Sequence, residues 1–141
     1  MKVIAKKKKG LEWLYAIVAI VCFVMLFAML ATNSEPLLVI LFLIVGIFSA
    51  YIFITHVRTP NDLISVDEAT GQIYLHSDDF TVFASNLADI SYNRATARSI
   101  KYKWGTLIIE TGIEKFEIQY VADVENVAKE LTRIMYLHKN K

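Results

Sequence analysis

The chain has 141 residues, 55% of them apolar, with 15 Lys and Arg against 14 Asp and Glu, a formal net charge of +1 and a single cysteine. That apolar fraction excludes an ordinary soluble domain of this size, and one cysteine excludes an intrachain disulfide framework. The apolar excess lies in the first half, so the two halves are expected to face different solvents.

Residues 1–10 carry Lys2, Lys6, Lys7, Lys8 and Lys9 and read as a basic cytoplasmic tail. From Trp13 to Ala31 there is no charge, and from Leu37 to Val57 the sole side chain of an acidic or basic residue type (Asp, Glu, Lys, Arg, His) is His56. Each run reaches the roughly 20 residues, at about 1.5 Å rise apiece, that cross a hydrocarbon core of about 30 Å. Transmembrane helices are therefore predicted over about 11–31 and 37–57, in a helical hairpin spanning 11–58. The connection "ATNSEP", residues 31–36, forces the helices to be antiparallel neighbours. It has no Lys or Arg, whereas five lysines precede the first helix and Arg58 follows the second. Basic residues concentrate on the cytoplasmic flank of membrane spans. The sequence thus predicts a two-span protein of the cell membrane, with both termini cytoplasmic and the loop outside. A cleaved signal peptide over residues 1–30 is the rival reading. Its apolar stretch is longer than usual and ends in no small-x-small site. Even then, the second span would leave the remaining residues in the cytoplasm.

Within the hairpin, Trp13, Tyr15 and Tyr51 lie toward the cytoplasmic ends, where amphipathic rings sit at headgroup depth. Gly46 and Ala50, with Ser49 beside them, form a small-x-x-x-small pair suited to close helix packing, although chance also supplies such pairs in apolar segments. No carboxylate or basic residue lies mid-span and Glu12 is terminal, so no ion path is expected. Cys22 reads as a small packing residue. Lys6, Lys7, Lys8, Lys9 and Arg58 are expected to set topology at the membrane surface. They could also gather anionic lipid, at roughly 1 kcal/mol each.

"RTPND" ends the second helix, because Pro60 pushes Thr59 out of helical geometry. A cytoplasmic domain is predicted over residues 60–141, and from Thr59 onward nine Lys and Arg face twelve Asp and Glu. Alternating apolar segments separated by turn signals predict about seven short antiparallel strands: "LISV", "IYLH", "FTVFAS", "ADISYN", "IKYKW", "TLIIE" and "EKFEIQYV". "RATARS" reads as a loop, and Gly71, Gly105 and Gly112 read as turn residues. In "ADVENVAKELTRIMYLHKNK", Val124, Val127, Ala128, Leu131, Ile134 and Met135 recur at helical spacing. Asp123 is expected to cap that helix by accepting from first-turn amides. His138, Lys139 and Lys141 suit its negative pole.

Three segments carry a resemblance: "NLADI" leading into a strand, "WGTLIIETGIEKFEI" as a glycine-started hairpin, and "VADVENVAKELTRI" as a closing helix. In them residues 60–137 resemble the bacterial pleckstrin-homology-like domains that follow a two-helix membrane anchor. The resemblance implies a small β-barrel, closed or nearly so, with the helix capping one mouth through Leu131 and Ile134. It carries no catalytic signature.

A search for chemistry finds little. His56, His76 and His138 lack the spacing of a metal site, Asp78 and Asp79 read as a solvated turn, and no nucleophile set is assembled. No catalysis, metal or cofactor is expected. The most suggestive polar stretch is "RATARSIKYKW", where Arg94, Arg98, Lys101, Lys103 and Trp104 form a candidate patch for anionic lipid or a partner, or else a wet loop. Elsewhere the domain is acidic, which disfavours nucleic acid.

The sequence thus predicts an α+β membrane protein: a transmembrane helical hairpin, then a pleckstrin-homology-like antiparallel β-barrel or sandwich capped by a C-terminal helix. Its expected task is non-catalytic, a scaffold or interaction module at the cytoplasmic face. Its partners would be membrane lipids and a protein partner or a second copy. A sensor of anionic lipid headgroups and a small accessory subunit of a larger membrane complex are the alternatives.

Overall fold

The computed structural model describes residues 1–140, in two units: Lys9–Thr59, and Met1–Lys8 together with the chain from Pro60 onward. Lys141, assigned above to the helix terminus, lies outside the described residues.

The first unit is a helical hairpin of α1 (Leu11–Ala31) and α2 (Pro36–Arg58), both long and apolar enough to cross a membrane. α2 starts one residue earlier than read, because Pro36 lacks only an N–H that a first turn would leave unsatisfied. α1 stops where the Thr32 hydroxyl donates back to the Ala28 carbonyl at 3.0 Å and Asn33 turns left-handed at φ +51°. The buried seam comprises Ala19 and Cys22 on α1 with Gly46, Ser49 and His56 on α2. A Cβ at Gly46 would lie 3.4 Å from that of Cys22, in ordinary van der Waals contact, so the helices are close here without the position demanding glycine. Ala50 is only half-buried, and Ser49 is the second small residue of the seam.

The second unit holds, among the described residues, seven strands and one α-helix. β1 (Lys2–Lys6), β2 (Asp62–Asp67), β3 (Gln72–Leu75) and β4 (Phe80–Phe83) form an antiparallel sheet in that order. β5 (Leu87–Ala97), β6 (Ile100–Thr111) and β7 (Lys115–Val121) form a second. α3 (Val124–Lys139) closes the chain. The strand number agrees with the sequence reading, but its composition does not. "IKYKW" and "TLIIE" are one strand running through Gly105, and the lysine tail supplies the missing member.

That tail is the principal difference from the sequence reading. Lys2 pairs with Val66 and Lys6 with Asp62, and Ala5 is fully buried in the core. The Lys7 amide donates to the Asn61 carbonyl at 2.9 Å, so the chain leaves the domain and re-enters it at adjacent points. Beyond β1 the same segment reaches the other sheet. The Ala122 amide donates to the Lys6 carbonyl (2.9 Å), the Lys8 amide donates to the Tyr120 carbonyl (2.7 Å), and Lys7 bridges Val121. The lysine run is therefore no uniform brush: Lys6 and Lys9 are exposed, Lys8 is half-buried and Lys7 is buried.

No closed barrel forms among the described residues. β4 and β5 do not pair. A single 3₁₀ turn, Ala84–Asn86, carries the chain from one sheet to the other, with Ala84 and Leu87 buried at the corner. Ile64, Val66, Ile73, Leu75, Leu107, Ile109 and Ile118 fill the space between the sheets. α3 covers it with all six apolar residues read from the sequence, so Leu131 and Ile134 lie on a two-sheet core and do not plug a barrel mouth. Asp123 occupies the N-cap position, but its side chain bonds no first-turn amide. Its backbone is left-handed at φ +50°, whereas amide capping needs extended geometry, and its carboxylate instead accepts from the Asn126 side chain at 2.7 Å. The far end of α3 is tied to the β2–β3 turn. Arg133 donates to both oxygens of Glu130 and to Glu68, and the His138 ring donates to the Glu68 carbonyl at 2.9 Å.

Candidate functional site

The five-residue basic patch is divided by the structure. β5 and β6 extend past the core as a two-stranded ribbon whose turn lies at Arg98–Ser99, so most of "RATARS" is strand and Arg98 sits left-handed at the tip. The strand register shifts between Arg94 and Thr96, where β6 holds two additional residues. Arg94 repairs that fault: Nε donates to the Tyr102 carbonyl at 2.7 Å and Nη2 to that of Lys101 at 3.4 Å. Arg94, Lys101 and Lys103 then line two shallow depressions beside the first turns of α3, which bring the carboxylates of Asp123 and Glu125 among them. Trp104 lies elsewhere, stacked between Tyr102 and Tyr120 at centroid distances of 6.2 and 6.0 Å. Gly105, read as a turn, is mid-strand. A Cβ there would sit 2.0 Å from the Asn93 carbonyl oxygen, so only glycine allows β5 and β6 this approach.

A second surface was invisible in the sequence. β4 is an edge strand, and no strand pairs with its outer side among the described residues. The Ala84 amide donates to Gly71 at 2.8 Å, and Val82 lies opposite Ile73, so the alternation of an antiparallel ladder turns the N–H and C=O of Thr81 and Phe83 away from β3. Beside this edge is a groove of about 540 Å³, walled by Phe80–Phe83 and Asn86 on one side and Thr111–Glu114 on the other. Its rim is apolar: Phe80 and Phe83 are each 45% exposed, and Ile113 is 96% exposed. Ile113 is held there by a tied turn. The Thr111 hydroxyl accepts from the amides of Ile113 (3.3 Å) and Glu114 (2.9 Å), and the Thr111 amide donates to the Glu114 carbonyl at 2.8 Å. Phe80 in turn stacks on Phe116 at 5.4 Å.

The hairpin holds a third arrangement missed from the sequence. His56, fully buried, places Nε2 3.1 Å from a carboxylate oxygen of Glu12. The signal was available: in an antiparallel pair joining Ala31 to Pro36, positions near 12 and 56 fall at one level.

Among the described residues no group of three or more His, Cys, Asp or Glu could hold a metal ion. The other histidines are spent in structure, His76 on the Ser65 hydroxyl (2.7 Å) and His138 on Glu68. Perturbed acids and bases lie in turns and ion pairs. The Thr70 hydroxyl and the Ala69 amide hold the Asp67 carboxyl below its usual range. Arg133 does the same for Glu130 and is itself held more firmly protonated. A hydrogen bond to the Asp79 carboxylate raises the Tyr74 phenol. Compared with models of known protein families, with curated proteins and with solved structures, the chain matches none.

Proposed function

We propose that the protein is a membrane-anchored, non-catalytic interaction module. In this reading the hairpin crosses the cell membrane twice, and the α+β domain is presented at its cytoplasmic face. One observation carries the reading: β1 precedes the hairpin, β2 follows it, and the two pair in one sheet, with Lys7 bonded to Asn61 where the chain departs and returns. An insertion with adjacent ends favours an even number of crossings. The lysines of the first flank then put both ends on the inner side. The apolar side chains exposed along both helices need lipid to cover them. The order of strands followed by a closing helix supports kinship with pleckstrin-homology-like domains.

The experiment is purification of the full chain in mild detergent beside the isolated hairpin, residues 9–59. A protein partner retained in stoichiometric amount by the full chain alone is the expected result. Release of the full chain from membranes by alkaline carbonate, or purification with no partner, contradicts the proposal.

A second reading, contact with anionic lipid headgroups, is favoured by the ribbon. From Tyr92 to Trp104 it carries four cations and no carboxylate. An accessory-subunit role remains a variant of the first reading and has no separate observation in its favour.

A further inference from the structure

The groove beside β4 identifies what the module would hold. We propose that it receives an extended apolar segment of another protein, bearing a basic residue, which adds to the β1–β4 sheet as a fifth strand. This deepens the interaction-module reading and rests on it.

Two kinds of evidence meet at this groove. The backbone groups of Thr81 and Phe83 point outward and form the template that strand addition uses, in which ladder hydrogen bonds supply affinity and flanking pockets select side chains. Exposed edges are ordinarily blunted by a charge, a proline or a bulge. β4, "FTVF", has none of these. Instead it is bordered by Phe80, Phe83 and the fixed, 96% exposed Ile113, apolar surface that water covers only at a cost.

Charge names the occupant. No Lys or Arg lines the groove and Glu114 stands in its wall; of the flanking residues, Asp78 and Asp79 immediately precede β4, and Lys115 after Glu114 is paired with Glu117 at 3.7 Å. A segment with Lys or Arg is drawn in, and an acidic one is repelled. The same charges argue against a second copy of this chain, which would offer an acidic edge of its own in place of a basic segment.

The test uses the full chain in detergent micelles and fluorescence anisotropy of a labelled heptapeptide of alternating valine and threonine with lysine at each end. Two further peptides serve as probes, one with glutamate at each end and one with a central proline. Binding of the lysine peptide is expected, weakened about tenfold or more with glutamate ends and abolished by the proline. Thr81→Pro, which removes one outward N–H, and Ile113→Ser, at a side chain almost wholly in water, should each weaken binding about tenfold. Tyr136→Ser, on exposed α3 surface, should not change it. Failure of the lysine peptide to bind, equal binding of both charge forms, or indifference to Thr81→Pro and Ile113→Ser together overturns the proposal. So does a dimer that sedimentation detects and Thr81→Pro dissociates, since a second copy would then fill the groove. None of these results moves the topology, so the anchored-module reading fails or survives separately.

Discussion

At Gly105 a single missing methyl decides whether β5 and β6 can meet, since the added carbon would overlap the Asn93 carbonyl. Backbone cannot rotate aside as a side chain can. Gly105→Ala is therefore expected to cost about 3 kcal/mol, the upper end of overpacking penalties, read from denaturant unfolding of the full chain followed by Trp104 fluorescence in a Trp13→Phe background. Gly71 is held by two constraints, a φ of +74° and a His138 ring that a Cβ would meet at 2.9 Å. At the same end of α3, Glu130 makes stability depend on pH. Its carboxyl is held below its ordinary value by Arg133, so the ionised form binds the folded state better. That contribution is complete above the unfolded value and is lost as pH falls through the lowered folded one. Thermal unfolding of Glu130→Gln should lose less stability than the parent between about pH 5 and pH 3. An unchanged slope would show that the pair contributes nothing. Gly71 was legible as a turn glycine, but Gly105 was not, because a glycine in a strand and a glycine in a turn look alike until the opposing strand is known.

Elements show the same division between what a local pattern carries and what pairing decides. α1, α2 and α3 were legible because their signals are local: unbroken apolar runs, and six residues at helical spacing that all proved buried. Leu131→Ala, at a fully buried position beneath α3, should cost about 2 to 5 kcal/mol in the same unfolding experiment. β1 was not legible. "KVIAK" is five residues long, its lysines dominate any reading, and its partner strand lies beyond two helices in the sequence. Ala5→Asp, which buries an unpaired charge in the core, is expected to destabilise the domain by about 3 kcal/mol or more. If β1 were a loose tail, the substitution would be silent. A fragment of residues 60–141 would lack this strand, so any assay of the domain must keep residues 1–8.

For the molecule as a whole, the candidate sites depended on which edges remained open, and no stretch of sequence states that. The basic cluster was visible as composition, yet Arg94 serves the ribbon's own backbone, Arg98 stands at its tip and Trp104 belongs to an aromatic stack. The β4 groove needed the strand order, and the Glu12–His56 contact needed the register of the hairpin. In the proposed function, a sheet whose strands β1 and β2 flank the hairpin in sequence carries the docking edge, and the topology of that hairpin is what remains to be measured. Single-cysteine labelling of intact cells tests this most directly, with Cys22→Ala as background and cysteines placed at Lys2, Asn33 or Lys139. A membrane-impermeant maleimide should reach position 33 in intact cells, and positions 2 and 139 only after permeabilisation. Labelling of 2 or 139 from outside, or protection of 33, would contradict a hairpin whose two flanks build one cytoplasmic domain.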